Sequence, residues 1–256
     1  MALPRCIPVL LLQGGALVKT VRFQNPRYIG DPLNAVRIFN EKEVDELVFL
    51  DLDASVKGTS IPFQLLEEIS GECFMPLSYG GGIKTMEDIR RIIQIGIEKV
   101  IIGTEAVENP AFVKQAVVEF GSSTICVSLD IQKTAIGYQL YTRSGTKLIQ
   151  KDPIDFAQEL EKFGVGELLV HSIDREGMQN GYDLDLVRTL RKVVKIPIIA
   201  SGGAGTLEHL CEGVQNGASA VAAGSMFVFY GRHQAVLISY PDQTALKRIY
   251  SSIQRK

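Results

Sequence analysis

Short apolar runs rich in β-branched residues alternate with amphipathic stretches along the whole chain. The runs predict strands at Cys6–Leu12, Leu47–Asp51, Met75–Tyr79, Val100–Gly103, Thr124–Asp130, Glu167–Ser172, Ile196–Ala200 and Ala220–Ala223. Between them, Asn34–Glu43, Thr85–Ile95, Pro153–Phe163, Leu184–Val194 and Leu207–Asn216 carry helical periodicity. Thr85–Ile95 is the clearest, with apolar residues at i, i+3, i+4 and i+7. Gly96, Gly164 and Gly217 stand where helices should stop, as C-cap glycines do. Strands alternating with helices imply a parallel sheet. Eight such units in 256 residues, 32 residues each, match the size of a (βα)8 barrel. The expected class is therefore an α/β TIM barrel, one domain over residues 1–256, since no linker or compositional shift divides the chain.

The chain also repeats itself. Pro76–Gly82 (PLSYGGG) echoes Pro197–Gly203 (PIIASGG), and Ile102-Gly103-Thr104 echoes Ala223-Gly224-Ser225, both at an offset of 121 residues. Phe49–Asp53 echoes His171–Glu176, and Cys126–Asp130 pairs with Ile7–Leu11. Four β/α units used twice describe a two-fold symmetric barrel. The segment Gly137–Leu148 alternates polar and apolar positions around Ser144-Gly145 and predicts a hairpin after strand five.

Composition narrows the class. Hydrophobic residues make up 46 % and charged residues 22 %, which excludes a disordered chain. The 27 Lys+Arg against 29 Asp+Glu leave no basic excess for nucleic acid. No apolar run reaches the length of a membrane span. Cys6–Leu12 superficially resembles a signal peptide, but it is short, contains Pro8 and reads as a buried first strand. Cys6, Cys73, Cys126 and Cys211 are scattered, as expected of free thiols in a cytoplasmic protein. His171, His209 and His233 lack metal-ligand spacing, so neither a metal nor another cofactor is expected.

Barrel sites lie at the C-terminal ends of the strands. Gly82, Gly103 and Thr104 end strands three and four; Gly203, Gly224 and Ser225 end strands seven and eight. Glycines let backbone N–H groups approach an anion. Two such cradles suit a ligand with a phosphate at each end, although glycines that merely make tight turns give the same pattern. Glu105 beside Thr104 would repel phosphate from the first cradle. Lys19, expected in the loop after strand one, could clamp a phosphate or be a solvated lysine. Asp130 ends strand five, where a carboxylate could act as general acid or base or cap the next loop. Its counterpart on strand one is Leu11, so no carboxylate pair forms. Asp51 and Asp174 read as a second pair related by the repeat, suited to orienting loops or ligand hydroxyls. At the strand starts, Arg5, Glu46, Lys99 and Glu167 could close a salt-bridged ring or stand solvated.

Together these residues resemble the cyclase subunit of imidazole glycerol phosphate synthase, HisF, over nearly the whole chain. The resemblance is carried by Asp45–Asp51 (DELVFLD), Gly80–Ile83, Ser172–Arg175, Gly181–Asp183 and Ile198–Gly205 (IIASGGAG). It implies a two-fold symmetric barrel binding a bisphosphorylated substrate at the top, with a glutaminase docked below that sends ammonia up the barrel. By resemblance Arg5, Glu46, Lys99 and Glu167 form the ammonia gate. Lys19, Gly82, Thr104, Asp174, Gly177, Gly203, Gly224 and Ser225 match ligand-binding positions.

The departures shape the expected function. The family's cyclase uses two aspartates; here Asp130 is present and Leu11 replaces its partner, while Glu176 stands for an Asp and Gly103 for an Asn. Loss of a general acid or base costs typically 10²–10⁴-fold. With the tail Phe227–Pro241, this pattern resembles the HisF-like proteins of surface-polysaccharide clusters. The leading expectation is thus an ammonia-channelling amidotransferase subunit serving acetamidino-sugar biosynthesis, with a HisH-like glutaminase and a separate sugar amidotransferase as partners. The alternatives are a histidine-pathway cyclase subunit and a non-catalytic scaffold that activates the glutaminase.

Overall fold

A computed structural model of the chain describes residues 4–251. Eight parallel strands form its centre: β1 (Arg5–Gln13), β2 (Leu47–Asp51), β3 (Leu77–Gly80), β4 (Lys99–Ile102), β5 (Ile125–Thr134), β6 (Glu167–Ser172), β7 (Ile198–Ser201) and β8 (Ala220–Ala223). Each pairs with its neighbours in order, and β8 pairs back onto β1 through Arg5↔Ala220 to Pro8↔Ala223. The sheet is thereby a closed (βα)8 barrel.

β1 shows why the strands read as unbroken apolar runs. Ile7, Val9 and Leu11 point into the barrel, while Cys6, Leu10 and Leu12 pack against the helices outside. A parallel strand buried on both faces has no polar side to show. The barrel interior is filled mainly by β-branched and small residues, among them Ile101, Cys126, Ile199 and Ala222.

The 121-residue repeat is visible in the helix starts. Asp31 caps Pro32–Glu41 and Asp152 caps Pro153–Lys162, each carboxylate accepting from backbone N–H groups of the first turn. Thr85 and Thr206 cap Met86–Gln94 and Leu207–Gln215 in the same way. The repeat corrects one expected pair. Asp174 corresponds to Asp53, not Asp51. Asp53 accepts from Gln13 Nε2 (3.2 Å) and Gly14 N (3.1 Å), and Asp174 from Gln132 Nε2 (3.3 Å) and Lys133 N (2.7 Å). Each ties down the strand end before it.

Three features depart from the expected elements. The strand ends shift by up to two residues, so that the third runs to Gly80 and the seventh to Ser201, except that the fifth runs four residues past Asp130 to Thr134. Helices Leu52–Lys57, Phe63–Glu72 and Pro110–Phe120 were not signalled by a clean periodicity. A hairpin, Ala16–Val21 with Gln24–Gly30, rises where only a loop was expected. Its turn places Arg22 (φ 54°) and Phe23 (φ 61°) in left-handed conformations that normally advertise themselves with Gly or Asn. The second hairpin is present as expected, with Gly137–Thr142 pairing both an extended β5 and Lys147–Ile149.

Candidate functional site

At the C-terminal mouth of the barrel lie two adjoining cavities. The larger, about 360 Å³, is bordered on the first-half side by Asp51, Gly82, Gly103 and Thr104, and on the second-half side by Asp130. The smaller, about 30 Å³, is bordered by Lys19, Gly177, Gly203, Gly224 and Ser225. Leu11 and His171 border both. Of the sequence-predicted ligand positions only Asp174 lines neither, being held in its strand-end contacts.

Lys19 departs from its expected setting. It is not a solvated loop lysine but lies in the Ala16–Val21 hairpin strand, 4 % exposed, its Nζ donating to Val9 O at 2.5 Å. Burial lowers its pKa to about 8, partly offset by the Glu176 carboxylate. Gly224 makes its position possible, because a Cβ there would fall 2.1 Å from Lys19 Nζ. Gly203 is equally constrained, since its Cβ would lie 2.1 Å from Gly181 O at a φ of +106°. Lys19, Gly224 and Ser225 thus border one small cavity. Glu176 secures the arrangement: its carboxylate accepts from Thr20 Oγ1 (2.9 Å) and Phe23 N (3.0 Å), binding the hairpin to the segment after β6.

The larger cavity is differently charged. Asp51 caps Leu52–Lys57 through Asp53 N (2.9 Å) and Ala54 N (3.2 Å), and burial raises its pKa. Thr104 Oγ1 accepts from Arg143 N at 3.1 Å, so the second hairpin closes over this side. Arg143 and Lys147 both pair with Glu108. Asp130 faces the cavity with Ser128 Oγ donating at 3.4 Å, and burial pushes its carboxyl up to about 7. A carboxyl poised near neutrality can give or take a proton at working pH.

At the opposite end the four charged residues meet. Arg5 donates to both Glu46 and Glu167. Lys99 Nζ lies 2.9 Å from Glu167 and 3.3 Å from Glu46, and Ser78 Oγ donates to Glu46 at 2.8 Å. The charges alternate around the floor and sum to zero. Burial pulls the Arg5 guanidinium down, but Glu46 and Glu167 outweigh it and hold its pKa above the ordinary value. Glu46 and Glu167 are repeat mates; the two cations are not. Above the ring the interior, between Ile7, Ser78, Cys126 and Leu169, is too narrow for a water molecule.

Sequence reasoning overlooked His171 and Arg143 as cavity residues. The histidines were weighed only for metal spacing, whereas the signal lay in strand register: His171 is the β6 neighbour of Asp130.

Fold and mouth together define a two-fold repeated barrel with a polar chamber on one face and a charged floor on the other. Residues 5–234 match the family described as histidine biosynthesis protein, and the chain belongs to that family as a HisF-family protein. It is 48 % identical over 244 residues to "Putative imidazole glycerol phosphate synthase subunit hisF2" of Pseudomonas aeruginosa, covering 94 % of this chain and 97 % of that one. It is 47 % identical to a protein of Leptospira interrogans named as the HisF subunit with the same qualifier, over 94 % of this chain and 96 % of that one. "Imidazole glycerol phosphate synthase subunit HisF" of Exiguobacterium sibiricum is 41 % identical over 89 % of this chain and 91 % of that one.

Proposed function

We propose that this chain is the ammonia-using barrel subunit of a glutamine-dependent synthase of the imidazole glycerol phosphate synthase type. The observation that carries the reading is the placement of two chemistries on one axis. The Arg5–Glu46–Lys99–Glu167 ring closes the floor, and Asp130 faces the chamber at the other end, beside the Lys19 cradle. A phosphate seated against Lys19, Gly224 and Ser225 would hold an elongated substrate across Leu11 and His171 toward Asp130. The raised pKa of Asp130 suits proton transfer to or from that substrate. A HisH-type glutaminase at the floor would supply ammonia, with the ring opening for its passage because the closed interior admits no water-sized molecule.

The relatives' names favour cyclisation in histidine biosynthesis as the reaction in the chamber, which reverses the order expected from sequence. One observation favours the second reading, ammonia delivery for an acetamidino sugar of surface polysaccharides with a separate sugar amidotransferase. Leu11 faces the chamber from the β1 position where the resemblance puts a carboxylate paired with Asp130. Expression in a histidine auxotroph lacking its cyclase decides between them. Growth supports the cyclase; no growth from a soluble, folded chain sinks it. Glutamine labelled on its amide nitrogen, supplied to the barrel with a glutaminase, tests the shared core of both readings. Label that appears only as free ammonia would leave the barrel as a scaffold.

A further inference from the structure

His171 is the ionisable side chain that borders both cavities at the mouth. It is the penultimate residue of β6, in register with Asp130 on β5 and Ser201 on β7, and it borders both the cavity of Asp130 and that of Lys19. It is 5 % exposed, and its ring is wedged edge-on against Phe23 at 4.8 Å, with Cδ2 directed at Gly202. Among the described residues no hydrogen bond joins either ring nitrogen to a protein group, and neither nitrogen is sealed from solvent, the sealed unpartnered side-chain atoms being Tyr79 Oη and Thr142 Oγ1. An imidazole nitrogen open to such a space takes its partner from whatever fills it. One that borders two ligand cavities without a partner points to the ligand as the missing one.

Several charged groups share its two cavities. Lys19 faces it from the hairpin, Glu176 from the segment after β6, and Asp130 from β5. Leu11 on β1, Ser201 on β7 and Ala223 on β8 bring no charge. Asp51, Lys57, Lys84, Glu105, Glu108 and Arg143 line the rest of the larger cavity.

We propose that His171 is a second proton-bearing group of the chamber, one that binds its proton when an anion occupies the Lys19 cradle and presents it to the ligand. The proposal rests on the cradle assignment made above. Without an anion the imidazole stays neutral: burial, and then the Lys19 ammonium, lower its pKa to about 3. A dianion against Lys19 reverses the sign of the local charge, which removes the second of these effects and adds an attraction for the imidazolium. The ring would then supply an N–H donor in the region that Leu11 leaves apolar. The substrate would thereby complete its own acid–base site, and an empty chamber would hold no proton-loaded histidine.

Sulfate is a suitable probe because it does not titrate between pH 5 and 8. The His171 ring resonances, assigned by their loss in His171→Gln, are followed by NMR against pH with and without sulfate. Calorimetry on the same samples measures binding. The expected result is a titration midpoint that rises by at least three pH units at saturating sulfate, from about 3 to about 6 or above. Sulfate should then also bind at least fivefold tighter at pH 5.5 than at pH 7.5 in the wild type, with much of that gain lost in His171→Gln. Asp130 and Lys19 contribute their own pH dependence, and the difference between the two proteins removes it. Sulfate that binds while the His171 midpoint stays put overturns this proposal alone. No binding at either pH overturns the cradle and this proposal together, while the ammonia-transfer reading would still be tested by the labelled-glutamine experiment.

Discussion

Gly103 and Gly224 stand 121 residues apart at the ends of β4 and β8, at equivalent points of the two half-barrels. A Cβ on Gly103 would meet nothing nearer than Ser128 Cβ at 3.9 Å; on Gly224 it would fall 2.1 Å from Lys19 Nζ. The same glycine therefore does different work in the two halves. In the second half it admits a buried ammonium. In the first, the matching place is taken up by Thr104 holding Arg143 N, and Glu105 lines the cavity. The comparison separates scaffold from chemistry. Helix caps recur in both halves, as do Asp53 and Asp174 at the strand ends. Lys19, Asp130 and the two floor cations each occur once. A repeated fold supplies the frame, and single departures from the repeat supply the groups on which the proposed chemistry rests.

The largest effect should come from Asp130. Asp130→Asn removes the acid–base group and should lower ammonia-driven turnover by roughly 10²–10⁴-fold. Stability should move the other way. The native carboxyl keeps its proton up to about pH 7, whereas the unfolded chain gives it up near pH 4. Wild-type stability therefore falls as pH rises through that window. The Asn variant should be more stable at pH 8, by on the order of 3 kcal/mol, and no more stable at pH 4. Denaturant melts at the two pH values check this, and an equal difference at both would refute the assignment.

Next in size is the contrast between the cradles. Gly224→Ala should displace Lys19 and weaken sulfate binding at least tenfold, whereas Gly103→Ala should change it less than twofold. Equal losses would mean that both halves bind the anion alike. The wild-type affinity should also decline as pH rises through about 8, where Lys19 loses its charge.

At the floor, Glu46→Ala leaves Arg5 and Lys99 sharing one carboxylate. The cost should be about 2 kcal/mol in denaturant unfolding, between the value for a broken buried pair and that for an exposed one. Smallest are the caps. Thr85→Ala and Thr206→Ala should each cost about 1 kcal/mol, and by similar amounts, because the scaffold is the symmetric part.

How much of this was legible in sequence follows the same division. The barrel was readable because β1 to β8 are apolar on both faces and the Gly-Gly and Gly-Thr/Ser signatures recur at one spacing. The positions of Asp130, the paired glycines and the four floor residues at the two ends of the barrel were legible because strand ends place them. The setting of Lys19 was not legible because Arg22 and Phe23 hide a tight turn, and with it the strand that buries the lysine. Asp51 was paired with Asp174 because the local echo DLD/IDR is ambiguous by two residues; the shared strand-end contacts of Asp53 and Asp174 resolve it. His171 was invisible because its meaning depends on two cavities that only the folded mouth creates.

The central claim is that floor and chamber serve one flow of ammonia, and Lys99 tests it most directly. Lys99→Ala, paired with a glutaminase, leaves Glu46 and Glu167 with a single cation, and the spare negative charge should trap arriving ammonia as ammonium. Product formation is measured with glutamine and, separately, with external ammonia, which can enter at the open mouth. The account predicts that the ratio of glutamine-driven to ammonia-driven rate falls at least fivefold while the ammonia-driven rate stays near wild type. An unchanged ratio would contradict it and leave the four charges as a structural ring only.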